Sequence, residues 1–206
     1  MNLQVFLTTI SICSMRRELY YVALTFLLIL FLPILSFVVF TNTGFSAVSN
    51  RLVATNPLNH TVQLLDPRTG KVIKEISAPM VWPIHGVVTL EFGQNDLPYQ
   101  PYHTGIDIAG SINTPITPFM KGTVSEVGHV DWGYGNYVVI DHGNNITSLY
   151  GHMNQTNATK GESVQPGDII GYVGQTGWAT GPHVHFQIDV NGIPVNPRSF
   201  LGNVNP

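Results

Sequence analysis

The chain has 206 residues, of which 12 are acidic and 9 basic, giving a formal net charge of −3. This length accommodates one ordinary domain plus accessory segments. No basic cluster is longer than Arg16-Arg17, which argues against a phosphate-binding surface and therefore against a nucleic-acid partner. A single cysteine, Cys13, excludes an internal disulfide and a cysteine-rich zinc site. Any metal site must therefore use carboxylates and some of the eight histidines.

The first predicted element is an uncharged apolar block over residues 19–40. About 20 apolar residues suffice to cross a bilayer as a helix. The Arg16-Arg17 pair before the block predicts a cytoplasmic segment at residues 1–18, a transmembrane anchor at 19–40, and a chain that lies outside the cytoplasmic membrane from there on. A cleaved signal peptide is the alternative, with a weak cleavage site at Gly44-Phe45-Ser46, and it would leave a secreted domain. A buried core helix is disfavoured because the block is apolar on all sides.

The segment after the anchor is interpreted as an extracytoplasmic stalk over residues 41–80. Residues 41–58 are rich in Asn, Thr and Ser, which is typical of a flexible connection. Two β-type runs, 60–65 and 71–76, flank an Asp-Pro-x-x-Gly turn and predict a short hairpin.

The remaining residues, 81–206, consist of short β-branched and aromatic runs punctuated by Gly and Pro. No part of this region keeps a helical period over ten residues. The pattern predicts an all-β fold: a compact, barrel-sandwich-like domain built on an antiparallel sheet. The candidate strands are Val87–Phe92, Gly122–Val130, Tyr137–Asp141, Thr147–His152, Ile169–Val173 and His183–Val190.

Three short histidine motifs lie in this domain. In the first, His183, His185 and Gln187 alternate with apolar residues and so share one face of a predicted strand. The second places His103 four residues before Asp107, and the third places His152 at the end of an apolar run. Each motif alone also fits a structural or surface histidine.

Together the motifs indicate a catalytic metal site. Three protein ligands plus an open position are typical of catalytic zinc, whereas structural zinc sites usually have four protein ligands. Two further histidines would supply the proton-handling groups of a hydrolase. The helical His-Glu-x-x-His signature of common zinc proteases is absent from the sequence, so a different scaffold is expected.

At these residues the chain resembles the lysostaphin and LytM type of zinc endopeptidase. The resemblance covers most of residues 82–201. Its ordered blocks are His103-x-x-x-Asp107, Gly135-Asn-Tyr-Val-Val-Ile-Asp-His-Gly143, Leu149-Tyr-Gly-His152, Val164-Gln-Pro-Gly-Asp-Ile-Ile-Gly171 and Thr176-Gly-Trp-Ala-Thr-Gly-Pro-His-Val-His-Phe186.

The resemblance implies Zn²⁺ bound by His103, Asp107 and His185, with His152 and His183 as the catalytic histidines. It also implies that the substrate is the peptide part of bacterial peptidoglycan, either cross-links or stem peptides. The alternative within the family is a non-catalytic wall-binding regulator that activates another cell-wall hydrolase. A wall-binding module is a second alternative.

Several other residues receive expectations from the sequence. The resemblance makes Tyr99 and Tyr102 candidates for binding the oxyanion, while Trp132, Tyr134 and Trp178 are expected at the groove. The remaining histidines receive other interpretations: His142 as a turn residue, His85 and His129 as structural or exposed residues at strand ends, and His60 as a cover of the groove.

Overall fold

The computed structural model describes residues 19–32, 44–56, 61–94 and 102–202. The chain divides into two units, residues 1–43 and residues 44–206. In the first unit, residues 19–32 are helical and exposed. Across the described residues, no helix combines the length and the apolar character that crossing a membrane requires. Residues 33–40 of the predicted anchor lie outside the described residues.

The described part of the second unit is built mainly from strands, which confirms the expected β-rich fold. Helical turns occur at residues 44–49 and at Arg198–Leu201. The strands are β1 (Val53–Thr55), β2 (Val62–Leu65), β3 (Val72–Ile76), β4 (Val87–Leu90), β5 (Ile106–Ala109), β6 (Pro115–Ile116), β7 (Gly122–Val130), β8 (Gly135–Asp141), β9 (Ile146–Thr156), β10 (Ser163–Val164), β11 (Gly171–Val173), β12 (His183–Val190) and β13 (Ile193–Val195).

A three-stranded sheet in the order β1-β2-β3 precedes the larger sheet. Its β2–β3 pair is the hairpin that the sequence predicts, and Asp66 Oδ1 accepts hydrogen bonds from the turn amides of Arg68 and Thr69. The flexible stalk expected over 41–58 is not what the described residues 44–56 form. They contain a helical turn and β1, and Leu52 is only 1% exposed because it packs into the hydrophobic core.

The larger sheet follows the order β10-β7-β8-β9-β12-β5-β4, with β6, β11 and β13 attached beside this path. Strand β12 lies between β9 and β5 and pairs antiparallel with both. Its apolar residues Val184, Phe186 and Ile188 are fully buried in the core. Because strand side chains alternate, the histidines of β12 must lie on the opposite face.

The strand bounds agree with the prediction for β7 and β12, whereas β5 was not predicted as a strand. It has only four residues, too few to show a clear alternation in the sequence. In the structure its Ile106 and Ile108 are fully buried, and Asp107 therefore lies on the other face. This places the carboxylate of Asp107 on the same side of the sheet as the histidines of β12.

Candidate metal centre and cleft

The centre begins with a pair of residues directly opposite each other on two paired strands. In the β12–β5 ladder, His185 is the register partner of Asp107. Directly opposed side chains in an antiparallel pair have Cβ atoms only about 4.5–5.5 Å apart. Accordingly His185 Nδ1 lies 2.9 Å from Asp107 Oδ1. The backbone ladder therefore fixes two of the three predicted ligands relative to each other.

His103 approaches the same point from the segment that leads into β5. Its Nδ1 lies 3.2 Å from the backbone carbonyl oxygen of Glu91. A carbonyl can only accept, so Nδ1 carries the proton and Nε2 keeps a lone pair. That Nε2 lies 3.0 Å from His185 Nδ1 and 3.1 Å from Asp107 Oδ1.

Gly105 is required between His103 and Asp107 because the ring of His185 lies against its backbone. A Cβ added at Gly105 would stand 2.4 Å from the carbonyl oxygen of Phe186 and 2.9 Å from His185 Nε2. Real Cβ atoms do not approach other atoms this closely. A side chain at position 105 would therefore displace the imidazole from the cluster.

The three side chains form a group that can hold a metal ion. Burial alone would raise the pKa of Asp107, but the adjacent imidazoles of His103 and His185 hold it well below its usual range. Tetrahedral zinc with bonds of about 2.0–2.2 Å separates its ligand atoms by roughly 3.3 Å. The observed separations of 2.9–3.1 Å fall a few tenths of an ångström short of this value. A carboxylate oxygen and imidazole lone pairs repel one another unless a proton or a cation lies among them, so these residues fit a metal.

His183 and His152 lie beside this group, with ring centroids 4.6 Å apart. His183 Nε2 is 3.5 Å from the second carboxylate oxygen of Asp107, and its Nδ1 donates to the carbonyl of Gly181. His152 Nδ1 donates to the carbonyl of Thr176 at 2.7 Å. In both rings the Nε2 atom is therefore the one left able to accept a proton. Burial and the neighbouring His183 lower the pKa of His152 to about 4.

His152 also has an unusual backbone, with φ of +61°. A left-handed conformation costs a residue with a side chain about 1–2 kcal/mol. Hydrogen bonds hold it in place on both sides: its amide donates to the carbonyl of Tyr134 and its ring to the carbonyl of Thr176. Strain of this kind persists only where the surrounding structure enforces it, and it is frequent at functional sites.

A cleft of about 230 Å³ opens over the cluster. It brings together all five residues that the sequence predicted as ligands or catalytic groups. Trp178, expected at the groove, lines it and is 52% exposed. The lining residues are Leu90, His103, Asp107, Gly133, Tyr134, His152, Trp178, Thr180, His183 and His185.

The loop that carries Trp178 is fixed to the turn before β8. The amide of Trp178 donates to the carbonyl of Gly133, and Thr176 Oγ1 accepts from the amide of Asn136. Gly135 has a φ of +61°, and a Cβ there would meet Thr176 Oγ1 at 2.2 Å. The close approach of these two segments forms one wall of the cleft.

The sequence reasoning missed a polar network behind the cleft. Gln187 is buried, and its Oε1 accepts hydrogen bonds from Thr104 Oγ1 and Tyr134 Oη. Its Nε2 donates to Asp189 Oδ1. The ring of Tyr134 lies 5.4 Å from that of His185. The signal was present in the alternation of β12, which places Gln187 on the face of His183 and His185.

The remaining candidates among the described residues do not line the cleft. Tyr99 and His60 fall outside the described residues. Tyr102 is not among the residues lining the cleft, since its ring packs against Phe45 and Phe92. His85 and His129 are exposed, as expected.

His142 lies in the turn between β8 and β9, as predicted, where its amide donates to the carbonyl of Ile146, and its ring forms further hydrogen bonds. Its Nδ1 donates to the carbonyl of Lys121, and its Nε2 lies 2.7 Å from Ser148 Oγ. The Ser148 hydroxyl in turn hydrogen bonds with the fully buried Tyr150. His142 therefore forms one end of a buried polar chain remote from the cleft.

Comparison with known proteins agrees with the class of site that this geometry defines. Residues 101–197 match the model of Peptidase family M23. A mutant catalytic domain of the prophage-encoded M23 protein EnpA from Enterococcus faecalis is 38% identical, with a TM-score of 0.53, over 59% of this chain and 98% of that one. The catalytic domain of lysostaphin from Staphylococcus simulans is 29% identical, with a TM-score of 0.53, over 57% and 93%.

Among curated proteins, the peptidoglycan DD-endopeptidase ShyA of Vibrio cholerae is 42% identical over 94 residues, which are 46% of this chain and 22% of that protein. The chain belongs to peptidase family M23, and the resemblance to lysostaphin inferred from its motifs is confirmed. The match spans only 22–31% of the length of the first curated relatives.

Proposed function

We propose that this chain is a zinc-dependent endopeptidase that hydrolyses peptide bonds in bacterial peptidoglycan. The observation that carries the proposal is the convergence of His103 Nε2, Asp107 Oδ1 and His185 Nδ1 within 3.1 Å of one another, beside two further cleft histidines. Two imidazoles and one carboxylate are a ligand set found in catalytic zinc sites, which keep an open position for water or substrate. Peptidoglycan as substrate is supported by the named activity of similar proteins such as ShyA.

Zinc held by these residues would polarise the scissile carbonyl and acidify an adjacent water. Neutral His152 would accept a proton at its Nε2, since its lowered pKa of about 4 keeps it unprotonated near neutral pH. The proton taken from water must reach the leaving amine, and His183 Nε2, close to Asp107 and beside His152, is placed to receive that proton and pass it to the amine. The carbonyls of Thr176 and Gly181 keep both rings in the required tautomer.

The charge of the cleft supports cleavage inside a peptide rather than at a free carboxyl end. No Lys or Arg is among the described residues that line the cleft. Residues 95–101, which precede His103 in the chain, also contain none. Recognition of a terminal carboxylate usually employs a cation, most often the guanidinium fork of Arg. A neutral rim therefore favours an endopeptidase.

The location proposed for the enzyme is the outer side of the cytoplasmic membrane. The proposal rests on the apolar residues 19–40 and the preceding Arg16-Arg17. Cleavage of this segment would instead release the peptidase domain from the cell. Immunodetection of the full-length protein in membrane and medium fractions separates the two outcomes, and a processed protein found in the medium would overturn the anchor.

The test of function uses the full-length protein in detergent with purified peptidoglycan. We expect one zinc per chain and release of soluble muropeptides, both abolished by a chelator, with the release abolished in a His183→Ala variant. Product masses then identify the bond that is cut. Stoichiometric zinc without release from any peptidoglycan type would favour the non-catalytic regulator. Absence of zinc would refute the proposal.

A further inference from the structure

The first ligand, His103, is tied to a segment that lies outside the matched family region. Three hydrogen bonds connect it to the turn at residues 91–94. Besides the ring contact to the Glu91 carbonyl, the amide of His103 donates to the carbonyl of Gln94, and the amide of Gly93 donates to the carbonyl of His103. A Gln94 side-chain contact to the amide of Glu91 closes the turn. The direction of the His103 ring therefore depends on where residue 91 lies.

Strand β4, which leads to this turn, is weakly held by the sheet. Among the described strands it is the last in the order and pairs with β5 alone, with a register shift between Val88 and Leu90. Val87 is 67% exposed. An edge strand is hydrogen-bonded on one side only, so contacts outside the sheet also contribute to the position of the turn that follows it.

A second anchor comes from the C-terminal helical turn Arg198–Leu201. Arg198 forms a two-point contact with Glu91: its Nη2 lies 2.6 Å from Oε1, and its Nε donates to Oε2 at 3.3 Å. The Arg198 side chain is only 13% exposed, and its guanidinium stacks over the ring of Trp82 at 5.2 Å. Fork-shaped, partly buried contacts of this type fix orientation as well as adding energy.

From this arrangement we infer that Arg198 and Glu91 are positioning residues for the metal centre. The ion pair fixes the turn at residues 91–94, and the Glu91 carbonyl then holds His103 with Nε2 directed at Asp107 and His185. Partners that orient a metal-binding histidine typically change metal affinity or activity by 10–100-fold when they are replaced. The inference rests on the proposed metal site, and neither residue is in the family match at 101–197.

The test measures zinc affinity of the full-length protein by competition with a chromophoric chelator, so it does not depend on turnover. Arg198→Met keeps an apolar side chain packed on Trp82 but removes the guanidinium group. Glu91→Gln removes the carboxylate charge and keeps the backbone carbonyl that accepts from His103. We expect each variant to bind zinc about 10-fold more weakly or worse. The double variant should be no weaker than the worse single one, because both changes break the same contact. Arg198→Lys should recover part of the affinity, since it restores the charge without the fork.

Thr55→Val is the matched control, because Thr55 Oγ1 donates to the carbonyl of Ser199 in the same helical turn without contacting Glu91. Its zinc affinity should equal that of the unmodified chain even if its melting temperature falls. Variants that bind zinc within twofold of the unmodified chain, or a Thr55→Val protein as weak as Arg198→Met, would overturn the positioning role. If Arg198→Met does not fold, Glu91→Gln decides the question by itself. An unmodified chain that binds no zinc would overturn the metal site together with this inference.

Discussion

Two parts of the centre are held in different ways. Asp107 and His185 face each other across a strand pair, and β12 is flanked on its other side by β9. His103 and His152 are instead oriented by single backbone carbonyls, those of Glu91 and Thr176. Asp107 and His185, the ladder-held groups, receive their direction from the many backbone hydrogen bonds of the paired strands. The rings of His103 and His152, the carbonyl-held groups, depend on a few individual hydrogen bonds. The second kind is therefore more sensitive to remote changes.

The largest loss of zinc and of activity is expected when Asp107, the carboxylate held by the strand pair, is replaced. Asp107→Ala removes one of three ligands and leaves two imidazoles with no negative charge, so zinc content should fall close to zero. Muropeptide release should fall by on the order of 10³-fold or more. Elemental analysis and the release assay check both quantities. Asp168→Ala is the control, since its carboxylate only accepts from the Gln165 amide in an exposed turn. Full zinc content in the Asp107 variant would refute the ligand assignment.

His183→Ala should separate metal binding from catalysis. Its Nε2 lies 3.5 Å from Asp107 Oδ2, near the cluster, while Oδ1 is the oxygen shared with His103 and His185. We expect zinc content to stay at one per chain and turnover to fall about 10²–10⁴-fold. Zinc lost together with activity would instead make His183 a ligand.

The strained backbone of His152 can be tested by comparing glycine and alanine at this position. At a φ of +61°, glycine avoids the strain that alanine must bear. His152→Gly should therefore be more stable than His152→Ala by about 1 kcal/mol, although both lose turnover. Urea unfolding of the metal-free proteins measures the difference. His183 is a strand residue without a positive φ, so there the alanine variant should be more stable than the glycine variant. If the alanine variant were the more stable one at position 152 as well, the backbone strain inferred for His152 would be refuted.

The smallest expected effect is a pH dependence of the free energy of unfolding that comes from His142, a histidine outside the cleft whose ring donates to a backbone carbonyl. Burial lowers the pKa of His142 below its ordinary value of 6.5. The unfolded chain binds more protons than the folded one between this lowered pKa and about pH 6.5, so the stability contributed by neutral His142 is lost as pH falls from about 6.5 toward the lowered pKa. Urea unfolding of the metal-free protein at pH 7 and pH 5 should show this loss. The decrease should be smaller in His142→Gln, and an unchanged decrease would exclude His142 as a source.

Much of the site was predictable because two physical patterns are local in sequence. The alternation of His183, His185 and Gln187 with apolar residues determines which side chains face the metal, whatever the strand pairs with. The His103–Asp107 spacing with a glycine between them is equally local, and Gly105 makes room for the His185 ring. Composition alone limited the ligands to histidine and carboxylate.

Other features depended on contacts between distant segments. Strand β5 is too short to be recognised by alternation, and it exists because β12 and β4 pair with it on either side. Residues 44–56 contain Asn, Ser and Thr residues typical of a loop, yet Leu52 and Val53 are buried because the second unit provides a hydrophobic core for them. The contact between Glu91 and Arg198 joins residues 107 positions apart. No pattern in the sequence reports such a contact.

By itself the sequence determined the kinds of chemical group available, their faces on β12, and the family. Only the tertiary structure decided which nitrogen of His103, His152 and His183 keeps its lone pair, because that depends on the carbonyl that each of these rings meets. It also decided the left-handed backbone of His152, which two remote carbonyls enforce. Composition and alternation are properties of neighbouring residues, whereas tautomer and strain are set by atoms brought together only when the sheet forms.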